Sequence, residues 1–305
     1  MTKIASRLPK WPPVQAIQGV RNNRLLGFTN SDQPRRISWE RFQSVSAQYR
    51  WFKAVNSKAD QHTLDIASLR PFSKTVVPLE YTGPDPTNSS AKVFRRFDAP
   101  LQVFLDYLEK PPQGIRIYLA QCSLSTLPKA MQAALPMPQF LTDHAATKNA
   151  NGKPTVCDIY DSSLWMGLPP TYTPLHRDPN DNCFFQLAGK KTIRLLPPNT
   201  GRDLFERVKE RIGEGEGDLS GRIRGEEMMT GREKDELEKE VWDTAYDPES
   251  GGVEARLVRG DGLYIPKGWW HSVKGHGETF TASVSILSYM SGAMETPIRT
   301  DHAHR

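Results

Sequence analysis

The hydrophobic and polar positions along the chain predict a mainly β domain with flanking helices. Apolar residues at positions 101, 104, 105 and 108 form one helical stripe, so we expect a helix over 98–110 with Asp98 as its N-cap and Pro100 in its first turn. Short apolar runs bounded by turn residues predict strands. These strands are expected at 75–81, 115–120, 155–160, 163–166, 263–265 and 280–289. Pro78 predicts that the first of them lies at a sheet edge.

Helical patterns also occur outside this stripe. Spacing and charge predict further helices over 38–56, 127–134, 202–212 and 232–243. The last two belong to a long, glycine-rich insert at 199–252, which is either a lid or substrate platform beside a barrel or a solvated decoration. Arg222, Arg224 and Arg232 in this insert are either contacts for an acidic substrate or ordinary surface charges.

The stretch 173–198 carries the first half of a candidate metal site. Its pattern predicts a strand, a tight loop and a β-hairpin that turns at 188–190. His176 and Asp178 are two residues apart, so on a strand an imidazole and a carboxylate point to the same face. Lys191 begins the predicted return strand and is placed to point its ammonium group into the same cavity.

The stretch 260–273 supplies the second half. A turn, a short apolar strand and another turn lead through two tryptophans to His271. Two histidines and one carboxylate on a β scaffold form the facial triad that holds Fe(II) and leaves coordination positions open. Taken singly, His176 can equally be a surface-loop histidine and His271 a core histidine. Only their combination with Asp178 and Lys191 favours a metal centre.

Together these residues resemble the JmjC-domain, cupin-type oxygenases that depend on Fe(II) and 2-oxoglutarate, in particular the small hydroxylases that act on the hypoxia factor or on tRNA wybutosine. The resemblance covers about 164–289 and extends more weakly back to about 38. It implies a double-stranded β-helix, or jelly-roll, core. It also implies that His176, Asp178 and His271 hold the iron, with 2-oxoglutarate and O2 as co-substrates.

The resemblance implies a co-substrate pocket as well. The residues that match the family's co-substrate site are Lys191, Thr173, Tyr118 and Asn182. In that family the lysine pairs with the distal carboxylate of 2-oxoglutarate, because a buried unpaired charge would be costly. This chain departs from the family on its late strand, where Ser285 and Leu287 stand in place of the usual asparagine and tryptophan. We therefore expect a differently shaped pocket for the primary substrate.

Composition and charge narrow the class of protein. With 305 residues, 37% hydrophobic and 25% charged, the chain has an ordinary globular balance, and its net charge of +5 permits an acidic partner such as RNA or an acidic protein segment. Three cysteines without a CxxC pair indicate a reducing compartment and cannot build the zinc modules of many histone demethylases. The sequence has no apolar run long enough to span a membrane.

The expected organisation is a basic, flexible leader at 1–37, a catalytic domain at 38–290 and a tail at 291–305. The leader has no acidic residue up to position 31, as in mitochondrial presequences, but its prolines oppose the amphipathic helix that such a presequence needs. We therefore expect a cytoplasmic or nuclear protein, with mitochondrial import as the alternative.

The expected function is a dioxygenase that hydroxylates a C–H bond of a protein or peptide side chain. A histone lysine demethylase and a tRNA-modifying hydroxylase share the same metal and co-substrate residues, so both stay open. A non-catalytic cupin-fold binding protein is a further alternative. The intact set of His176, Asp178, His271 and Lys191 argues against that last class.

Overall fold

The structure, a computed structural model, describes residues 10–15, 33–37, 51–55, 58–85, 92–135, 141, 156–213 and 226–291. Its strands are β1 (Arg35–Ile37), β2 (Phe52–Val55), β3 (Lys58–Leu64), β4 (Val76–Pro84), β5 (Lys92–Pro100), β6 (Arg116–Ser123), β7 (Val156–Gly167), β8 (Thr171–Arg177), β9 (Asp181–Ala188), β10 (Lys190–Leu196), β11 (Val253–Val258), β12 (Gly262–Ile265), β13 (Trp270–His276) and β14 (Thr281–Ser291). The α-helices are α1 (Ile66–Leu69), α2 (Leu101–Glu109), α3 (Lys129–Ala133), α4 (Pro198–Ile212) and α5 (Gly231–Glu238).

Two antiparallel sheets form the core. The larger has eight strands in the order β1-β12-β9-β14-β7-β6-β4-β5, and the smaller has four in the order β11-β10-β13-β8. Consecutive strands along the chain alternate between the two sheets from β8 to β13, apart from the step from β10 to β11. This alternation is the winding of a jelly-roll, so the predicted mainly β fold with a double-stranded β-helix core is confirmed.

The hairpin predicted within this stretch, from Cys183 to Leu196, is wrong, although its strands are present. β9 pairs with β12 and β14 in the large sheet, whereas β10 pairs with β11 and β13 in the small sheet. Gly189 makes the crossing with a φ of +65°, and a Cβ there would lie 2.4 Å from the Phe280 carbonyl oxygen. The tight turn was therefore predicted correctly, but it joins two sheets rather than two neighbouring strands.

Several helix and strand boundaries also differ from the predictions. Asp98 lies within β5, and Pro100 is the N-cap of α2. Pro78 is not on an edge strand, because β4 lies between β5 and β6, although its pairing with β6 covers only Leu79 to Thr82. The strands expected at 155–160 and 163–166 are one continuous strand, β7.

Of the helix predicted over 38–56, positions 52–55 form the strand β2, and 38–50 lie outside the described residues. The buried apolar stripe predicted on α2 is present, with Leu101, Phe104 and Leu105 fully buried.

Two described segments of the predicted leader, 10–15 and 33–37, contact the sheets. The Val14 amide donates to the Glu254 carbonyl at 3.0 Å. β1 pairs with β12, and Arg36 forms a salt bridge of 2.6 Å with Asp261. Backbone pairing thus holds these two segments on the two sheets, and the rest of the predicted leader, 1–9 and 16–32, lies outside the described residues.

The described part of the insert is packed rather than solvated. Phe205 and Val208 of α4 and Leu237 of α5 form a hydrophobic cluster with Leu175 and Trp270 of the small sheet. Lys209 and Glu233 add a buried salt bridge of 2.9 Å between the two helices. Arg222 and Arg224 lie outside the described residues. None of the helices that the structure describes has the length and apolar character needed to cross a membrane.

Candidate metal centre

The three predicted ligands meet on the small sheet. His176 and His271 lie directly opposite each other on β8 and β13, and their ring centroids are 4.1 Å apart. Asp178 follows the end of β8 and places its Oδ2 atom 3.6 Å from the Nε2 atom of His271. The donor atoms of all three residues lie within 4.8 Å of one another.

Hydrogen bonds orient each ligand. The Nδ1 atoms of His176 and His271 lie 2.8 and 3.3 Å from the carbonyl oxygens of Pro174 and Trp269. These contacts leave both Nε2 atoms for the centre of the site. The Asn182 amide donates to Asp178 Oδ2 at 2.7 Å, so a neighbouring strand fixes the carboxylate. Such outer contacts set the orientation and basicity of metal ligands.

The electrostatics of the site suit a divalent cation. Burial, together with the neighbouring His271, lowers the pKa of His176 to about 3. The imidazole is therefore neutral at physiological pH, which is the form that binds metals. Two neutral nitrogen donors and one carboxylate match the ligand set of non-haem iron sites, so the residues present fit the metal that the sequence predicts.

Lys191 is the second charged feature of the site. Only 4% of the residue is exposed, and its Nζ atom donates to Ser283 Oγ at 2.6 Å and to Tyr118 Oη at 3.1 Å. Burial lowers the pKa of this ammonium group to about 7. Since no salt bridge among the described residues involves Lys191, an anionic ligand would supply the missing countercharge.

A cavity of about 450 Å³ joins these features. Its wall includes the three metal ligands and, of the predicted co-substrate residues, Lys191, Thr173 and Asn182. Tyr118 reaches the site through its hydrogen bond to Lys191. Ser285 and Leu287 also line this cavity, so the two positions that depart from the family pattern face the space next to the ligands.

The structure adds residues that were not predicted from the sequence. Ser283 is fully buried beside Lys191. Its position two residues before Ser285 was a usable signal, because alternate residues of a strand share a face. Trp165 lines the cavity, and its buried indole N–H has no hydrogen-bond partner in the part of the chain that the structure describes. Gln121, also in the wall, has a φ of +51°.

The insert contacts the metal-bearing strands from outside. Trp242 donates its indole N–H to Ser272 Oγ at 2.9 Å, and that hydroxyl donates to the Thr173 carbonyl at 2.8 Å. Ser272 sits at a register shift of β13, immediately after His271. Arg194 of β10 donates to the Val241 and Trp242 carbonyls at 2.7 and 3.2 Å. Side chains on the outer face of the small sheet thus hold the end of the insert.

Comparison with known proteins identifies relatives of this architecture. The lysine-specific demethylase JMJ30 of Arabidopsis thaliana is 28% identical over 140 residues, which cover 46% of this chain and 28% of that protein. Jumonji C domain-containing protein 5 of Drosophila melanogaster is 26% identical over 173 residues, covering 54% and 35%. The bifunctional arginine demethylase and lysyl-hydroxylase psr-1 of Caenorhabditis briggsae is 29% identical over 125 residues, covering 40% and 29%. The matches thus span about a third of each relative's length.

The family assignment rests on a longer match. The cupin-like domain family matches residues 38–291, which include every strand of the two sheets except β1, the three candidate ligands and Lys191. The relatives carry the names of JmjC-domain proteins and demethylases. The chain therefore belongs to the cupin-like domain family, whose JmjC-type members are oxygenases that use Fe(II) and 2-oxoglutarate.

Proposed function

We propose that this protein is an Fe(II)- and 2-oxoglutarate-dependent dioxygenase that hydroxylates a C–H bond of a protein side chain. The observation that carries the proposal is the placement of Lys191 in one cavity with the His176, Asp178 and His271 cluster. A metal cluster alone would fit many activities. A buried cation on the same cavity wall is what a dicarboxylic co-substrate requires.

Each residue has a defined role in this proposal. His176, Asp178 and His271 would hold the metal, which in this family supplies oxygen activation coupled to decarboxylation of the 2-oxo acid. Lys191 would pair with the distal carboxylate, and Ser283 and Tyr118 orient its ammonium group at 2.6 and 3.1 Å. Asn182 fixes Asp178. The buried walls exclude water from the reacting atoms.

The second candidate reaction is demethylation of a lysine or arginine side chain. It is favoured by the names of two relatives, a lysine-specific demethylase and a bifunctional arginine demethylase and lysyl-hydroxylase. Both reactions begin with hydroxylation of a C–H bond and use the same metal and co-substrate residues. They differ in the substrate carbon that faces the metal, and Ser285 and Leu287 beside the ligands are the positions that would select it.

The test is production of succinate from 2-oxoglutarate by the Fe(II)-loaded protein under oxygen, followed by mass spectrometry of offered peptides. A mass gain of about 16 Da on the peptide corresponds to one added oxygen atom and supports hydroxylation. Loss of a methyl group supports demethylation. Asp178→Ala is the control. The proposal fails if the protein takes up no iron, or if the variant turns over 2-oxoglutarate as fast as the native chain.

A further inference from the structure

A second cavity lies beside the metal centre. It has a volume of about 430 Å³ and shares Gln121, Trp165 and Thr173 with the wall of the metal cavity. The insert forms part of its boundary through Met228 and Lys234, among others. A substrate whose reacting residue enters the metal cavity would place its neighbouring residues in this second space.

Cationic side chains outnumber acidic ones around the second cavity. The charged groups of its wall are Lys92, Arg96, Arg116, Lys234 and Lys274 against Glu80 and Glu238. Both carboxylates already have cationic partners: Glu80 lies 3.3 Å from Arg96, and Glu238 lies 3.1 and 2.7 Å from Lys234 and Lys274. Among the residues that the structure describes, the wall therefore offers an incoming cation no acidic group without a cationic partner, and it carries a surplus of positive charge.

The two lysines form the best-defined part of this wall. Lys234 and Lys274 converge on the single carboxylate of Glu238, and both lie over the ring of Tyr172, at 5.2 and 5.4 Å from its centroid. About a quarter of each lysine side chain is exposed, 25% and 23% respectively. Their charges are thus partly desolvated, which strengthens an interaction with an anion relative to that of a fully exposed lysine.

The second cavity links the two lysines to the metal centre through the wall that it shares with the metal cavity. Lys274 lies on the outer face of the small sheet, as Ser272 does, because alternate residues of β13 share a face. The second cavity reaches it past Tyr172 and Thr173 of the edge strand β8. A carboxylate a few residues from the reacting side chain would follow this path to the two lysines. A peptide is the favoured occupant, because two relatives are named for reactions of lysine or arginine residues.

We propose that the second cavity binds an acidic segment of the protein substrate, with Lys234 and Lys274 pairing with an aspartate or glutamate a few residues from the hydroxylated position. This inference rests on the proposed function where it refers to a hydroxylated position. The binding of an acidic segment to the second cavity does not depend on that function. It separates this chain from relatives named for demethylation of basic residues, because a lysine- or arginine-rich peptide would meet like charges here.

Binding is tested by fluorescence anisotropy with three labelled nonapeptides of one length: an aspartate-rich peptide, its asparagine counterpart and a lysine-rich peptide. We expect the aspartate peptide to bind at least about fivefold more tightly than the asparagine peptide, on the order of 1 kcal/mol. Lys234→Met and Lys274→Met should each remove most of this difference. Glu238→Gln should increase it, because the substitution removes the carboxylate that pairs with Lys274 and leaves Lys234 with the exposed Asp235.

The matched control is Lys110→Met, which makes the same change in net charge at an exposed lysine in neither cavity wall. The Lys110 variant should bind within about twofold of the native protein. Equal losses in all three lysine variants would show that only net charge matters, and would overturn the proposal. A preference for the lysine peptide, or no gain in the Glu238 variant, would overturn it too.

A labelled single-stranded RNA serves as the competing ligand. If it displaces the aspartate peptide and depends more strongly on Lys234 and Lys274, the cavity belongs to a nucleic acid and the peptide proposal is wrong. Thermal melting checks that each variant is folded. Binding needs no turnover, so the two proposals can fail separately. A protein that binds the acidic peptide but makes no succinate contradicts the oxygenase proposal alone. A protein that makes succinate but does not prefer the acidic peptide contradicts the binding proposal alone.

Discussion

Trp242 donates its indole N–H to the hydroxyl of Ser272 at 2.9 Å, which connects the insert to the residue directly after a metal ligand. Ser272 is fully buried, and its hydroxyl also donates a hydrogen bond to the Thr173 carbonyl of β8. Both strands that carry the histidines are therefore held from the side opposite the cavity. The described part of the insert is therefore not a solvated decoration, because it contacts the strands that carry the two histidines.

Replacing Trp242 by Phe tests this connection. The ring remains between Arg194 and Lys274, which lie 4.7 and 4.9 Å from its centroid, while the hydrogen bond to Ser272 is lost. Because this bond holds the residue next to His271 rather than a ligand itself, we expect Co(II) affinity to fall by less than the about 10- to 100-fold typical of direct ligand partners, together with a changed visible spectrum of the bound cobalt.

The control for this variant is Tyr246→Phe, which removes a hydrogen bond to the Gly252 carbonyl, 3.0 Å long, in the same insert. That bond does not reach the metal strands. If both variants bind cobalt like the native protein, the insert only covers the sheet and does not position the ligands.

Asn182→Ala is the corresponding test from inside the cavity. The substitution removes the donor that fixes Asp178 Oδ2 at 2.7 Å but leaves all three ligands in place. We expect metal affinity to fall about 10- to 100-fold, less than in Asp178→Ala, which removes a ligand. Isothermal titration with Co(II) measures both variants. An Asn182 variant with native affinity would show that the carboxylate is held by other contacts.

The clustering of His176, Asp178 and His271 agrees with the expectation from sequence. The two-residue spacing on a strand predicted that the first two share a face. The addition of His271 and Lys191 depended on the resemblance to the JmjC-type oxygenases. The pairing of the strands was not predictable in this way, because a hairpin and a crossing between sheets begin with the same turn residues around Gly189.

Long-range contacts account for the other differences. Ser272 and Trp242 are ordinary residues in the sequence, and only the docking of the insert brings them together. The same holds for Ser283, which becomes a partner of Lys191 through the approach of β14 to β10 across the core. Segments 10–15 and 33–37 looked like a leader by composition, but backbone pairing with distant strands overrides composition.

The pH dependence of co-substrate binding follows from Lys191. Burial lowers the pKa of its ammonium group to about 7, and the carboxylate of 2-oxoglutarate binds the protonated form. Affinity should therefore be greatest below pH 7 and fall by up to about tenfold per pH unit above it, with uptake of a proton on binding. Calorimetric titration with 2-oxoglutarate in buffers of different ionisation enthalpy measures this uptake.

Lys191→Met tests how the same ammonium group affects the pH dependence of stability. The pKa of Lys191 in the folded protein lies below its unfolded value of 10.5. Between about pH 7 and 10.5 the unfolded chain therefore binds more protons than the native protein. The native protein thus gains stability as pH rises through that window. The variant should lose this pH dependence and melt no lower than the native protein at pH 7. It should also bind 2-oxoglutarate much more weakly than the native protein. A variant that still binds the co-substrate with native affinity would remove Lys191 from the site.

Gly201→Ala tests whether the insert also positions the site through packing. A Cβ at this position of α4 would lie 2.2 Å from Cγ of Trp270, which is 1% exposed and directly precedes His271. The methyl group must displace the indole, and overpacking of this kind costs about 1–3 kcal/mol. Because Trp270 begins the strand that carries His271, we expect weaker Co(II) binding together with a lower melting temperature.

The control is Gly213→Ala at the end of the same helix, where φ is +83° and no atom of the described residues lies within 4 Å of the added Cβ. Backbone strain there should cost about 1 kcal/mol, so this variant is also less stable, but its methyl group touches nothing near the metal. Comparing the rise in melting temperature on adding Co(II) separates the two effects, since that rise reports binding to the folded protein. The rise should shrink for Gly201→Ala and stay native for Gly213→Ala. Equal rises in both variants would mean that the ligands tolerate movement of Trp270 and that α4 supports the fold alone.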